Sequence, residues 1–378
     1  MERIRVLSVF GTRPEAVKMA PVVKALAADP AFDARICVTA QHREMLDQVL
    51  SLFGISPDYD LDIMQAGQGL SDITCRVLKG LEPVIREFRP EMVLVHGDTT
   101  TTFSAALAAY YQGARVGHVE AGLRSFDKFS PFPEEMNRCL TGRLADLHFS
   151  PTAQNVQNLL NEGVDSAGIL KTGNTVIDAL LSVVRPDYVF DVPELQDIDY
   201  DHKKVILLTA HRRENLGEPM HAIFGAVREI VDRYPEVELI FPMHKNPAVR
   251  EIAAAHFEGC DRIHRIEPLD YEPFAHLMAK SWLILTDSGG IQEEAPALGK
   301  PVLVLRRETE RPEAVDAGTV KLAGVEKETI ISMCEALLTI PEAYQAMANA
   351  VNPYGDGMAS QRIVERIKKT LRPEMNAN

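Results

Sequence analysis

Between positions 281 and 318 the chain reads S-W-L-I-L-T-D-S-G-G-I-Q-E-E-A-P-A-L-G-K-P-V-L-V-L-R-R-E-T-E-R-P-E-A-V-D-A-G. The apolar run over 282–285 is too short for a helix, and Ser288-Gly289-Gly290 then opens a helical stretch that ends near Gly299, ahead of a β-branched run over 301–305. Strand, turn, helix and strand in that order make one βαβ unit of a parallel sheet. Chemistry is expected at the turn. The first N–H groups of a helix have no intrahelical partner, the helix dipole favours an anion there, and glycines admit a ligand close to the backbone. A diphosphate suits such a turn, and Glu294, one helical turn past Gly290, is placed to accept from the hydroxyls of an adjoining ribose. Glycine turns also open many helices for backbone reasons alone, so the turn by itself leaves both readings open.

The same alternation runs through the rest of the chain. Residues 5–10 form an apolar strand ending in Gly11-Thr12-Arg13-Pro14-Glu15, and 16–27 has helical periodicity. Arg13 and Lys18 are thus two cations where a strand gives way to a helix, either solvated or holding an anion. Residues 92–95 run into His96-Gly97-Asp98-Thr99-Thr100-Thr101-Thr102 and a small-residue helix over 104–111. Residues 116–119 deliver Glu120, and a loop with two prolines precedes a helix carrying Glu134 and Arg138 at i, i+4. V-L-V-H-G-D-T-T and L-I-L-T-D-S-G-G share one design, strand, Asp, hydroxyl residues and helix, which hints at two similarly built halves. Asp98, Glu120 and Glu134 all fall on the edge where open α/β sheets place ligands, so they form a candidate carboxylate cluster. Singly, each is equally a helix cap or a salt-bridge partner.

A polar, acidic stretch over 185–204 with two prolines marks a domain boundary. It divides the chain into an N-terminal domain over 1–185, to which a helix within 358–378 crosses back, and a C-terminal domain over 200–357. A length of 378 residues exceeds what one core fills. The expected fold class is α/β, two Rossmann-like domains whose ligand edges face an interdomain cleft. The net charge of −14 argues against nucleic acid or an anionic membrane surface as partner, so an anionic ligand needs locally clustered Arg and Lys. The five cysteines, odd in number and without C-x-x-C, fit free thiols in a reducing compartment. With no apolar leader and no run long enough to span a bilayer, the chain reads as cytoplasmic. His42, His96, His118, His211 and His244 lie near strand ends, yet without H-E-x-x-H, H-x-H or a Cys/His pair at ligand spacing, and no metal is expected. His211, before two arginines, suits phosphate binding, proton transfer or a satisfied structural role. The first turn lacks G-x-G-x-x-G, which argues against NAD.

Taken together, V-F-G-T-R-P-E-A-V-K, T-A-Q-H-R-E-M-L-D-Q-V-L, H-G-D-T-T-T-T, H-V-E-A-G-L-R-S, F-P-E-E-M-N-R, T-G-N-T-V-I-D-A-L, H-R-R-E-N, T-D-S-G-G-I-Q-E-E-A-P-A-L-G-K-P-V and E-R-P-E-A-V-D-A-G-T resemble the non-hydrolysing UDP-N-acetylglucosamine 2-epimerases, over nearly the whole chain. The resemblance implies the glycosyltransferase-B type fold, an active site in the interdomain cleft, a homodimer, interconversion of UDP-GlcNAc with UDP-ManNAc for polysaccharide biosynthesis, and no cofactor. It puts the uracil and ribose near Phe274 and Glu294, and the diphosphate on Ser288, Gly289, Gly290 and Arg13. Lys18, Arg138, His211, His244 and Arg311 line the same cleft, with Asp98, Glu120 and Glu134 as catalytic acids and His211 assisting. The route it implies is elimination of UDP to 2-acetamidoglucal, followed by re-addition. In bacterial members a second UDP-GlcNAc activates the enzyme, and Gln41, His42 and Gln68 fit that regulatory pattern. Glu44 and Gly67 depart from the Gln and Arg of the pattern, and a missing Arg removes a bidentate phosphate contact, so weak activation is expected. The alternatives are a retaining glycosyltransferase of the same fold, a hydrolysing UDP-GlcNAc 2-epimerase, and a nucleotide-sugar-binding regulator without catalysis. Incubation with UDP-GlcNAc alone separates them, since epimerisation needs no acceptor and leaves UDP attached.

Overall fold

A computed structural model describes residues 2–40, 43–65 and 67–373, apart from the side chain of Glu44. The described residues divide into two units, one built from the chain up to Ser182 together with the stretch from Tyr354 onward, the other from Val183–Pro353. In the first unit β1 (Ile4–Phe10), β2 (Phe32–Val38), β3 (Tyr59–Asp60), β4 (Met92–His96), β5 (Arg115–Val119), β6 (Leu147–Ser150) and β7 (Ile169–Lys171) form a sheet of order β3-β2-β1-β4-β5-β6-β7. In the second, β8 (Lys204–Thr209), β9 (Val237–Pro242), β10 (Ile263–Ile266), β11 (Leu283–Thr286), β12 (Val302–Val304) and β13 (Val320–Leu322) form a sheet of order β10-β9-β8-β11-β12-β13. Every pairing is parallel, with Val6 opposite Met92 in the first sheet and Leu283 opposite Ile206 in the second. Both units are therefore Rossmann-like, and in both the strand order reverses between the first and fourth strands, β1 against β4 and β8 against β11. Parallel strands open a crevice at their carboxyl ends at such a reversal.

Strands buried on both faces explain the apolar runs of the sequence. Leu7, Val9, Val93 and Val95 pack with Val77 and Leu81 of the helix Leu70–Phe88 and with Ala105 and Ala109 of the helix Thr100–Tyr111. The alanines let that helix lie close to both the helix Leu70–Phe88 and the helix Glu134–Leu144. In the second unit Ile206, Leu208, Leu239, Leu283 and Leu303 meet the helix Glu218–Arg233, where Phe224 sits 5.3 Å from Phe241 and 4.9 Å from Phe257 between ring centroids. Aromatic pairs at this spacing add to the burial of their area.

Three local features differ from the sequence expectation. The stretch expected to hold the domain boundary belongs to the second unit: Phe190, Leu195 and Ile198 are buried, and Tyr188 stacks on His276 at 3.7 Å. The helix opened by Gly289 is α-helical only over Gly289–Glu294 and continues as a 3₁₀ turn, Ala295–Leu298, because Pro296 has no N–H for the α ladder. Edge strands β7 and β10 carry no clear sequence signal and are additional. The last helix, Ala359–Leu371, belongs to the first unit, where Asp178 accepts from Ala359 N at 3.2 Å, Ser360 N at 2.7 Å and Ser360 Oγ at 2.6 Å. No helix among the described residues is long and apolar enough to cross a membrane.

Candidate active site

In the first unit the carboxyl ends of β1, β4 and β5 gather the charged groups. The turn after β1 passes so near β2's end that a Cβ on Gly11 would lie 1.9 Å from Thr39 Oγ1, so only glycine fits there. The helix Arg13–Ala28 then starts with a capping box. Glu15, buried, accepts from Gly11 N at 3.0 Å and Thr12 N at 2.7 Å through one oxygen, and from Thr99 Oγ1 at 2.8 Å and Thr102 Oγ1 at 3.2 Å through the other. It ties the turn bearing Arg13 to the turn bearing Asp98. One helical turn beyond Arg13, Lys18 donates to both oxygens of Glu120 at 2.8 and 2.6 Å, while His96 Nε2 lies 2.8 Å from Glu120 Oε2. Glu120 follows β5 with φ of 63°, a left-handed conformation that a side chain adopts at a cost, and that turns its carboxylate toward Lys18.

Asp98 sits beside this group. Its carboxylate pairs with Arg138 Nη2 at 3.2 Å, and its carbonyl accepts from Asn137 Nδ2 at 2.9 Å. The two acids are held unlike. Burial pushes the Asp98 carboxyl up, and the pull of Arg138 does not cancel that, partly because Glu120 adds a like charge. Burial also pushes Glu120 up, but Lys18 and His96 outweigh it and hold Glu120 well below the usual carboxylate range. Glu134, half-buried at the start of the helix Glu134–Leu144, makes no ion pair or side-chain hydrogen bond among the described residues. Its i+4 neighbour Arg138 bonds to the Glu134 carbonyl at 3.3 Å and gives its charge to Asp98 and, at 3.4 Å, to Glu135. Behind the acids, His118 Nε2 donates to Gly97 O at 2.7 Å, and burial drives its pKa down to about 3, so it is a neutral brace.

In the second unit β8 delivers His211 and β11 delivers Asp287 and Ser288. A cavity of about 210 Å³ is lined by His211, His244, Phe274, Ser288 and the apolar side chains of Leu269 and Ile291. His211 and His244 stack with centroids 5.6 Å apart. Asp287 is fully buried and meets the His211 ring and backbone. Gly289 and Gly290 have no left-handed φ, and a Cβ there would meet only Arg311 Nη2 at 3.8 Å or Glu294 Oε1 at 3.6 Å. Packing does not require glycine at either position. Arg311 is ion-paired to the buried Glu293, and Glu294 accepts from Tyr271 Oη at 3.4 Å.

Of the regulatory positions, Gln41 and His42 lie outside the described residues. Gln68 Oε1 accepts from Arg76 Nη1 at 3.1 Å, and Arg43 is bound to Asp60 at 2.6 Å and Asp62 at 2.8 Å. Sequence reasoning left Glu15, His96 and Asp287 without roles. Glu15 had a usable signal in Thr12-x-x-Glu15, the capping-box pattern. No group of three or more His, Cys, Asp or Glu suited to a metal ion occurs among the described residues.

Comparison with known proteins gives a consistent picture. The family model described as UDP-N-acetylglucosamine 2-epimerase matches residues 24–368. The UDP-N-acetylglucosamine 2-epimerase of Escherichia coli (strain K12) is 57% identical over 373 residues, covering 97% of this chain and 98% of its own. The Bacillus subtilis (strain 168) protein of the same name is 56% identical over 367 residues, covering 97% and 96%. The crystal structure of UDP-GlcNAc 2-epimerase from Neisseria meningitidis bound to UDP-GlcNAc superimposes with a TM-score of 0.84 at 52% identity, covering 97% of this chain and all of that one.

The unlike settings of the two acids predict unlike titrations. Followed by carboxyl ¹³C NMR, Asp98 is expected to take up its proton above the ordinary aspartate value of about 3.9 while Glu120 stays ionised. Arg138→Gln removes the opposing cation and is expected to move the Asp98 midpoint further up; a midpoint that stays or falls would contradict this account.

Proposed function

Since the chain belongs to the UDP-N-acetylglucosamine 2-epimerase family, we infer that it inverts C2 of UDP-N-acetylglucosamine reversibly, giving UDP-N-acetylmannosamine. The observation that carries this reading to the residues is the pair Asp98 and Glu120, two acids at one sheet edge with opposite protonation tendencies and a set of cations around them. C2 of the sugar is not next to a carbonyl, so simple enolisation is closed to it. Elimination is open: a base takes the C2 proton, the C–H electron pair forms the C1–C2 double bond, and the C1–O bond breaks toward the diphosphate. The fragments are UDP and 2-acetamidoglucal. Re-addition returns a proton to the other face of C2 and re-forms the C1–O bond.

Asp98 suits the base, because an upward-shifted carboxylate accepts a proton more readily. Glu120, kept anionic by Lys18 and His96, tunes it, and Glu134 is the second proton-handling group that two opposite faces call for. On the second unit, Phe274 and the apolar wall of its cavity suit the uracil, and Glu294 suits the ribose hydroxyls. Arg13, Arg311, His211 and the backbone at Ser288, Gly289 and Gly290 suit the departing diphosphate; one such preorganised donor contributes about 10²–10³-fold to a rate. Two glycines that packing does not demand support a close ligand there. Lys18, Arg138 and His244 complete the binding set. All five cysteines are free, which fits action in a reducing cytoplasm.

Exposed aromatic and aliphatic side chains on the first unit support a homodimer. Tyr110, Tyr111, Phe126, Phe129 and Phe132 are each more than half exposed, and Met136 and Leu140 share one face of the next helix. Light scattering is expected to give about twice the 41.9 kDa chain mass, and a monomer at micromolar concentration would remove this reading.

Turnover in D₂O is expected to place deuterium at C2 of both sugars, and product without it would rule out elimination. Glu294→Ala is expected to weaken UDP binding in calorimetry by about tenfold, the loss of a hydrogen bond to a charged group, while Glu134→Gln leaves UDP affinity and lowers kcat. Unchanged UDP affinity in Glu294→Ala would refute the ribose placement.

A further inference from the structure

We propose that Asp287 is a positioning residue for His211: it accepts the hydrogen of Nδ1, so that Nε2 is free to carry the proton that is donated to the departing diphosphate. This rests on the functional reading above and adds to it a residue that touches neither substrate nor reacting atoms. Asp287 follows β11 directly and has no exposed surface. Its Oδ2 accepts from His211 N at 2.9 Å, Arg212 N at 2.8 Å and Asn215 Nδ2 at 3.1 Å, and Asn215 is itself anchored on Leu305 O at 3.1 Å. That oxygen is saturated. The other, Oδ1, lies 3.2 Å from His211 Nδ1 and has no aligned donor among the described residues. No Lys or Arg side chain pairs with Asp287 among the described residues. A buried carboxylate oxygen without a donor is costly, and the Nδ1–H of His211 is the group at hand to relieve it.

Carboxylates accept and cannot donate, so Nδ1 carries the hydrogen whenever it faces Asp287, and proton exchange is confined to Nε2. The stack against His244 limits rotation of the ring, and His211 lines the cavity shared with Phe274 and Ser288. Two constraints thus act on one imidazole, one setting its tautomer and one its plane. Asp287→Asn keeps the shape while reversing the chemistry. Its carbonyl oxygen can take the two backbone N–H groups, which leaves its NH₂ opposite Nδ1. A donor there makes Nδ1 an acceptor and puts the hydrogen on Nε2, and a doubly protonated ring would set two donors face to face.

Two measurements decide it, both on the full chain. In ¹⁵N correlation spectra of the UDP-bound protein, with the ring signals identified by their loss in His211→Gln, the native protein is expected to show hydrogen on both Nδ1 and Nε2 and Asp287→Asn hydrogen on Nε2 alone. In a double-mutant cycle, Asp287→Asn is expected to lower kcat by about 10²-fold beside His211, with KM and UDP affinity within about twofold, and to cost less than about twofold in a His211→Gln background. Hydrogen remaining on Nδ1 in Asp287→Asn overturns the proposal. So does an equal loss in both backgrounds, because that is what structural damage alone would produce. Were the native protein unable to interconvert the two nucleotide sugars, the functional reading would fall, while the ¹⁵N spectra would still decide the role of Asp287.

Discussion

A carboxylate taken out of water must find donors for its lone pairs or stay protonated, and in each unit of this protein that constraint fixes the turn after the first strand. Glu15 gathers Gly11 N, Thr12 N and two threonine hydroxyls; Asp287 gathers His211 N, Arg212 N and the Asn215 amide. In both cases one acid satisfies backbone groups that a turn leaves unpaired and joins the first strand's turn to the fourth strand's. The residues assigned to substrate, Arg13 and His211, ride on those turns. Their placement therefore depends on buried acids that need never meet the substrate, and the precision a reacting group requires comes from this layer.

The fold was legible where period and punctuation agree. Residues 5–10, 92–95 and 282–285 read as buried strands because both faces are covered, and the strand, Asp and hydroxyl pattern pointed to β4 and β11, which occupy the same place in their sheets. Edge elements were not legible. β7 is three residues long, and β10, Ile-His-Arg-Ile, places two adjacent polar residues between its isoleucines in a segment that otherwise reads as loop. The stretch before β8 read as a boundary because acids dominate its composition, whereas three buried apolar side chains spaced along it, Phe190, Leu195 and Ile198, anchor it.

The candidate site was legible as a set of residue types at strand ends, since the parallel sheet itself dictates where ligands go. What sequence does not carry is pairing across long separations. Arg138 stands one helical turn from Glu134 and yet pairs with Asp98, forty positions upstream in the chain; Lys18 pairs with Glu120, more than a hundred positions away. Those pairings divide the acids into one pushed up and one held down, and no local pattern encodes the division.

Asp98, proposed above as the base, and Asp287 show how little sequence change separates a partly exposed acid from a fully buried one. Both follow the fourth strand of their sheet, but V-L-V-H is followed by Gly97 and then Asp98, whereas L-I-L-T is followed by Asp287 at once. Gly97 takes φ of 69°, a conformation that turns the chain away from the strand direction, and the Asp98 side chain emerges with 30% of its surface exposed. Without that glycine Asp287 stays in line with β11, has no exposed surface, and meets the N–H groups at the end of β8. A carboxylate with three donors on one oxygen is fixed in place, whereas one that faces a single arginine at 3.2 Å is not held in that way. One inserted residue at the switch point thus separates an acid left open to its surroundings from an acid enclosed by backbone N–H groups.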